Sequence, residues 1–439
     1  MRAYMLTSRL PEGDGVLDLK YIRENAKAVE ENSRNRGVEA DVGLVVELAD
    51  RRSDLIQESN ELKQRQNQMA RSIGRERDEE ARMRLIEESR AMKERLPSKE
   101  RELHEVEERL RDEQSKIPNM THPDSPIGKD DTENVEIRRW GEIPDFPFEP
   151  KDHVELGEHL GIIDFDAGAK TTGTKFYFLR GDAVLLELGL IRYAMDILME
   201  RGYQPTITPD LARDRMLVGT GFIPRGPETQ IYSVEGTDLS MVATAEITLA
   251  GQHVDEIIEE RDLPLRYAGL SHCFRTEAGS HGRASRGLYR VHQFTKVEMF
   301  AFTTPDQSEN MHNEMVGIEE RIFQGLGLPY RVVDICTGDL GGAAYRKYDL
   351  EAWMPGRNDF GEVTSTSNTT DYQARRLAIR YRKEGGRPQL LHTLNGTALA
   401  ISRALISLLE IYQQQDGSVS LPEALLPYVG KERLQATAS

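Results

Sequence analysis

Between residues 45 and 117, apolar side chains return every seventh position. Leu48, Leu55, Leu62 and Met69 make one row; beyond the charged break "IGRERD" come Leu85 and Met92, then Leu96, Leu103, Leu110 and Ile117. Seven residues are close to two turns of helix, so each row is one apolar stripe on a long α-helix, a period no strand can use. Glutamates and arginines fill the positions between. Two segments of similar length, joined by a short turn at Gly74, predict an antiparallel helical hairpin within the chain. A coiled coil between two chains would use the same stripe, but the matched lengths and the turn favour pairing within one. The seam is thin, since Arg52, Ser59 and Gln66 fall where apolar residues are expected, and such a pair projects into solvent. About thirty-five residues per arm span roughly 50 Å. Pro97 should kink the returning helix, because it removes a backbone donor and crowds the preceding turn.

"IPNMTHPDSPIGKDDTENVEIRRWGE" reads as a Pro-, Asp- and Asn-rich linker and puts a domain boundary at 118–140, giving domains 1–118 and 119–439. Beyond it, "KFYFLRGD", "PLRYAGLSHCFRTE", "GLYRVHQFTKVEMFAFTT", "PYRVVDIC", "KYDLEAWMP" and "FGEVTSTSN" read as strands among amphipathic helices, without a regular βαβ rhythm. The expected fold class is α+β, an antiparallel sheet flanked by helices, preceded by the helical hairpin.

The chain of 439 residues has net charge −17, yet "FRTEAGSHGRASRGLYRVHQFTKVEMF" gathers Arg275, Arg283, Arg286 and Arg290 and ends on Glu298. Two alternating stretches flank the loop "SHGRASRG", so adjacent antiparallel strands would bring Arg275 and Glu277 onto one face with Phe294, Lys296 and Glu298. Arginines beside an aromatic ring suit a nucleotide, one forking onto phosphate oxygens and the other stacking on the base. A surface hairpin whose charges pair with each other is the competing reading. No apolar run reaches the ~20 residues of a membrane span. The first fifteen residues lack the apolar stretch of a secretory signal; an over-extended start or a short presequence would both fit. Cys273 and Cys336 are the only cysteines, which excludes a disulfide framework or four-cysteine zinc site and fits a reducing cytoplasm.

"FRTEAGSHGRASRGLYRVHQFTKVE" resembles the second signature motif of class II aminoacyl-tRNA synthetases, in the form found in seryl-tRNA synthetases. "MVATAEITLAG", "DLPLRYAGLSHCFR", "DICTGDLGGAAYRKYDLEAWMPG", "SNTTDYQARRLAIRYR" and "LHTLNGTALAISRALISLLEIYQQQDG" resemble the same family in the same order. "RGYQPTITPDL" resembles the first motif, whose proline, here Pro209, lies at a homodimer interface in that family. The likeness covers residues 16 to 430.

The resemblance implies roles. Arg275 would meet the α-phosphate of ATP and the charge developing there, and Arg403 of the third motif would lie near the γ-phosphate; these two are the catalytic candidates. Thr276, Glu277, Val291 and Phe294 would complete the adenine side, with Phe294 stacking on the ring. Glu362, Val363, Thr364 and Ser365 would line the ATP site, Glu362 and Ser365 holding Mg2+. Thr244, Ala245, Glu246, Glu298 and Thr397 would take L-serine. No side-chain nucleophile is implied, since the serine carboxylate itself attacks phosphorus and the protein supplies position and charge. The hairpin would reach the long variable arm of tRNA(Ser), and tRNA(Sec) is a second acceptor the family admits. Departures are small: Ala398 and Ser402 stand where relatives often carry glycine, Thr366 and Thr369 where many carry cysteine, and Gly361 where a large residue is common. Two other readings of such a chain are a ligase loading an amino acid onto a non-tRNA acceptor and a non-catalytic RNA-binding relative. The first tends to lack the hairpin and the second should have lost Arg275, Arg403 or Glu362.

Overall fold

The computed structural model describes residues 17–223, 229–278 and 287–436. Arg283, Arg286 and the first fifteen residues lie outside the described residues. By internal packing the chain divides into two compact units, Met1–Met120 and Thr121–Ser439.

The first unit is helical. Short helices α1 (Leu19–Glu24) and α2 (Ala26–Asn35) precede the long helices α3 (Val42–Arg75) and α4 (Glu79–Ser115). Asp41 and Asp78 cap the two long helices, each carboxylate accepting a hydrogen bond from the backbone three residues on, at 2.8 and 2.9 Å. The hairpin is therefore intramolecular. Its base is a true core: Val45, Leu48, Leu55, Leu110 and Ile117 are buried with Ile22 and Val29. Farther out, Leu62, Met69, Leu85, Met92 and Leu96 are only half-buried, as a two-helix seam must leave them. Cross-helix ion pairs flank the seam: Arg52–Glu107 at 3.0 Å, Lys63–Glu100 at 3.0 Å, Lys99–Glu58 at 2.8 Å, and Arg51–Glu102. Such exposed pairs select the helix register more than they add stability. α4 runs through Pro97 as one continuous helix. Pro97 is exposed, so the Lys93 carbonyl it leaves without a partner faces water.

The second unit is built on an eight-stranded sheet: β1 (Val135–Trp140), β2 (Gln204–Ile207), β3 (Leu265–Phe274), β4 (Gln293–Thr303), β5 (Tyr330–Asp334), β6 (Arg346–Met354), β7 (Asp359–Thr370) and β8 (His392–Ala400). Its spatial order is β1-β5-β6-β7-β8-β4-β3-β2, antiparallel throughout except for the parallel β2–β3 pair at one edge. Helices α5 (Asp182–Glu200), α7 (Ser308–Gly325) and α8 (Ile401–Ile411) supply Leu186, Leu190, Met315, Ile322, Leu405 and Leu409 to a core with Val297, Met299, Val332 and Leu350 of the sheet. The short α6 (Glu246–Gly251) packs Ala245 and Leu249 against Phe300 and Phe302 in a separate cluster. The α+β class and the helical hairpin are thus as expected. Two strand readings change. Val135–Trp140, inside the stretch taken for linker, is an edge strand of the main sheet. Only Phe178–Leu179 of "KFYFLRGD" is strand.

Candidate active site

The β3–β4 hairpin carries the site. Cys273 pairs with Phe294, Ser271 with Lys296 and Gly269 with Glu298. Alternation then sends Val297, Met299 and Ala301 into the main core, while Phe294, Lys296 and Glu298 share the opposite face. Arg275 follows directly after β3, its backbone N–H donating to the His292 carbonyl at 3.0 Å. Its guanidinium carbon lies 5.3 Å from the centre of the Phe294 ring. The expected face is formed.

One pocket is lined by Arg275, Glu277, Val291, Phe294, Glu362, Val363, Thr364, Thr397 and Arg403. Nine of the sequence-derived residues, from four separate stretches of chain, thus meet. Arg403, in the first turn of α8, bonds Glu362 twice: to the side chain at 2.9 Å and to the carbonyl at 3.0 Å. Burial works against the Glu362 charge, but Arg403 and Lys347 prevail and hold its carboxyl below the usual range. Glu277 adopts a left-handed backbone (φ 51), a strained geometry for a residue with a Cβ, and faces Arg290 at 3.4 Å. Thr276 does not line the pocket; its hydroxyl donates to the Thr229 carbonyl at 2.8 Å and anchors the strand end.

The second group adjoins the first. Thr244, Ala245, Glu246, Glu298 and Thr397 are all buried, and Thr397 stands opposite Glu298 in the β8–β4 register. The Thr397 hydroxyl donates to Glu298 Oε2 at 3.3 Å. Glu246 opens α6, and its Oε1 accepts from Gln373 at 2.6 Å and Asn395 at 2.9 Å. Burial, with the nearby Glu298 charge, pushes the Glu246 carboxyl up to about 7, against the pull of Gln373, Lys296 and Arg275. A cation entering here would restore its charge.

Glu362 and Ser365 are three apart and would face opposite ways on a regular strand. A bulge in the β6–β7 pairing changes this: Glu351 stands opposite Glu362, and Asp349 opposite Ser365. Since Asp349 and Glu351 share a face, Glu362 and Ser365 do too. Asp349 Oδ1 is buried without a hydrogen-bond partner, and burial raises its carboxyl to about 7 even beside Lys347. Two carboxylates and a hydroxyl, with one carboxylate oxygen unspent, are hard oxygen donors that suit Mg2+. Glu362 also borders a larger cavity of about 840 Å³ that Asp349 helps to line.

Several contributors were given no site role from the sequence. Tyr289, Arg290, Lys296 and Ser402 also line the pocket that holds Arg275 and Arg403. The guanidinium groups of Arg357 and Arg403 lie 4.3 and 4.9 Å from the Tyr289 ring centre. Just before it, the Leu288 N–H donates to His153 Nε2 at 3.0 Å, and His153 Nδ1 bonds Glu410 at 2.7 Å. His153 and Glu410 are 257 positions apart, so no local pattern exposes them, whereas Lys296 lies on the alternating row and was legible.

Two family models match: the seryl-tRNA synthetase N-terminal domain over residues 16–121 and the tRNA synthetase class II core domain (G, H, P, S and T) over residues 231–412. The serine–tRNA ligase of Rubrobacter xylanophilus is 76% identical over 95% of this chain and 98% of its own length. That of Treponema denticola is 55% identical over 95% of this chain and its full length. The crystal structure of the Pyrococcus horikoshii seryl-tRNA synthetase complexed with ATP superposes with a TM-score of 0.90 at 40% identity, covering 96% of this chain and 100% of that one. A helical hairpin ahead of an antiparallel core, two arginines converging on one pocket and likeness over nearly the whole length agree, and the chain belongs to the seryl-tRNA synthetase family of class II aminoacyl-tRNA synthetases.

Proposed function

We propose that this chain joins L-serine to ATP as seryl-adenylate and transfers the seryl group to tRNA(Ser). The observation that carries the reading is the convergence of Arg275 and Arg403 on one pocket with Thr397, whose hydroxyl reaches Glu298. Phe294 stacks on adenine, Glu277 meets its edge, and Val291 contributes backbone. Arg275 takes the α-phosphate and Arg403 the γ-phosphate end. Glu246, with Thr244 and Ala245 beside it, receives the serine ammonium, while Glu298 and Thr397 receive the hydroxyl. The serine carboxylate, so oriented, attacks the α-phosphorus in line and pyrophosphate departs. The arginines meet charge that grows only as the reaction proceeds, which is where such contacts speed it. Glu362 and Ser365 would hold Mg2+, which neutralises phosphate charge, with Asp349 alongside. A ribose hydroxyl of the tRNA end then attacks the seryl carbonyl and AMP leaves.

The helical hairpin of the first unit serves tRNA by shape and backbone contact, as its exposed, doubly charged faces suit. A homodimer is part of the same reading, and the exposed apolar side chains of Leu185 and Leu188 on α5 and of Ile207, 83% exposed on edge strand β2, support it. A monomer in light scattering would refute that part. Among the described residues no helix is long and apolar enough to cross a membrane. The reading places the enzyme in the cytoplasm, with tRNA(Sec) as a second acceptor where one exists.

The direct test is ATP–pyrophosphate exchange with serine, threonine, alanine and cysteine. Serine should stimulate exchange far above the others. Folded protein without serine stimulation would overturn the reading.

A further inference from the structure

Lys296 has no part in the scheme above, yet it is the most deeply buried cation of the site face, its side chain 6% exposed beside a Glu298 side chain 2% exposed. Its Nζ lies 2.5 Å from Glu298 Oε2 and 3.3 Å from Thr397 Oγ1. Three groups on two neighbouring strands therefore close a triangle, the third side being the Thr397–Glu298 bond at 3.3 Å. Replacing a buried ion pair by well-packed apolar groups is often neutral or stabilising, so packing alone does not account for this one.

We propose that Lys296 is a positioning residue for hydroxyl selection: it holds Glu298 and Thr397 in one fixed donor and acceptor pattern that only an amino acid with a side-chain hydroxyl completes. The inference rests on the serine-pocket reading above. Lysine has three N–H donors and no acceptor. Two are directed at Glu298 Oε2 and Thr397 Oγ1, and the Thr397 proton is in turn directed at Oε2. Among the described residues, every side-chain contact to the Glu298 carboxylate falls on Oε2. Oε1 is left as a pure acceptor, and the third Lys296 N–H as a pure donor. A serine hydroxyl has one proton to give and a lone pair to offer, and answers both. Alanine answers neither and leaves buried groups unpaired, a difference that polar sites convert into large discrimination. Without Lys296, Thr397 is free to rotate its proton and the pattern is lost.

The experiment compares the wild-type enzyme with Lys296→Met and Lys296→Arg in ATP–pyrophosphate exchange, with serine and with alanine, after circular dichroism has shown each to be folded. In Lys296→Met the serine KM should rise and the serine:alanine ratio of kcat/KM should fall about 10- to 100-fold, with the ATP KM within about twofold. Lys296→Arg should recover part of the ratio. An unchanged serine:alanine ratio overturns the proposal, as does a loss confined to the ATP KM, which would make Lys296 a phosphate ligand. If Lys296→Met does not fold, Lys296→Gln is read the same way, since it keeps a polar side chain there but loses the charge and the third N–H. The wild-type arm separates the two readings: absence of serine-dependent exchange there defeats the activity itself, whereas normal wild-type exchange with an unaltered ratio in the variants defeats only this inference.

Discussion

Glu246 makes serine capture depend on pH in a way that can be worked out in advance. Its carboxyl is raised from 4.5 to about 7, first by burial and then by the nearby Glu298 charge. Near neutrality in the empty site it is therefore about half protonated, and a protonated carboxyl has no charge to offer an ammonium. If serine binds the ionised form, its apparent affinity scales with the ionised fraction: about one part in eleven at pH 6, a half at pH 7 and nearly all at pH 8. The serine KM in ATP–pyrophosphate exchange should accordingly fall about tenfold between pH 6 and pH 8. Serine's amine stays protonated over that range, so the ligand does not cancel the effect. Stability moves the other way. The folded state holds the proton more tightly than the unfolded chain, so stability present below about pH 4.5 is lost as pH climbs and is gone once it passes about 7, some 3 kcal/mol in all. Glu246→Gln should remove both trends, binding serine weakly at every pH while melting higher than wild type at pH 8. A serine KM that stays flat from pH 6 to 8 in the wild-type enzyme, or the same slope in Glu246→Gln, would refute the reasoning.

Two further outcomes are expected. Arg403→Ala, which removes both bonds to Glu362 and the stack on Tyr289, should lower kcat for exchange about 10²- to 10³-fold with the fold intact, and unimpaired exchange would take Arg403 out of the mechanism. Deleting residues 45–115, the two long arms and their turn, should abolish tRNA charging while sparing serine-dependent exchange, and equal charging without the hairpin would end its assigned role.

What the sequence made legible is whatever obeys a period. The seven-residue rows give α3 and α4, because every turn of a long amphipathic helix repeats one demand. Strict alternation places Phe294, Lys296 and Glu298 on one face of β4, because one register serves the whole β3–β4 ladder. Where the period breaks, so does the reading. β1 was lost in a presumed linker because all six of its residues are exposed, and an edge strand with no buried face shows no alternation. The bulge opposite Leu350 and Glu351 is a larger loss, since it is what turns Glu362 and Ser365 to the same side, and a period-two reading of "EVTS" separates them. Only the family resemblance joined that pair. The His153–Glu410 bond that steadies Leu288 lies outside any local rule. Repeating elements are set by neighbours in sequence, whereas a site that must seat a triphosphate beside a small amino acid draws on irregularities: a bulge, a left-handed glutamate at 277, a lysine buried between a carboxylate and a hydroxyl. Each costs stability locally, and each lies on the wall of the same pocket or one bond behind it, so the departures from regularity themselves trace the site.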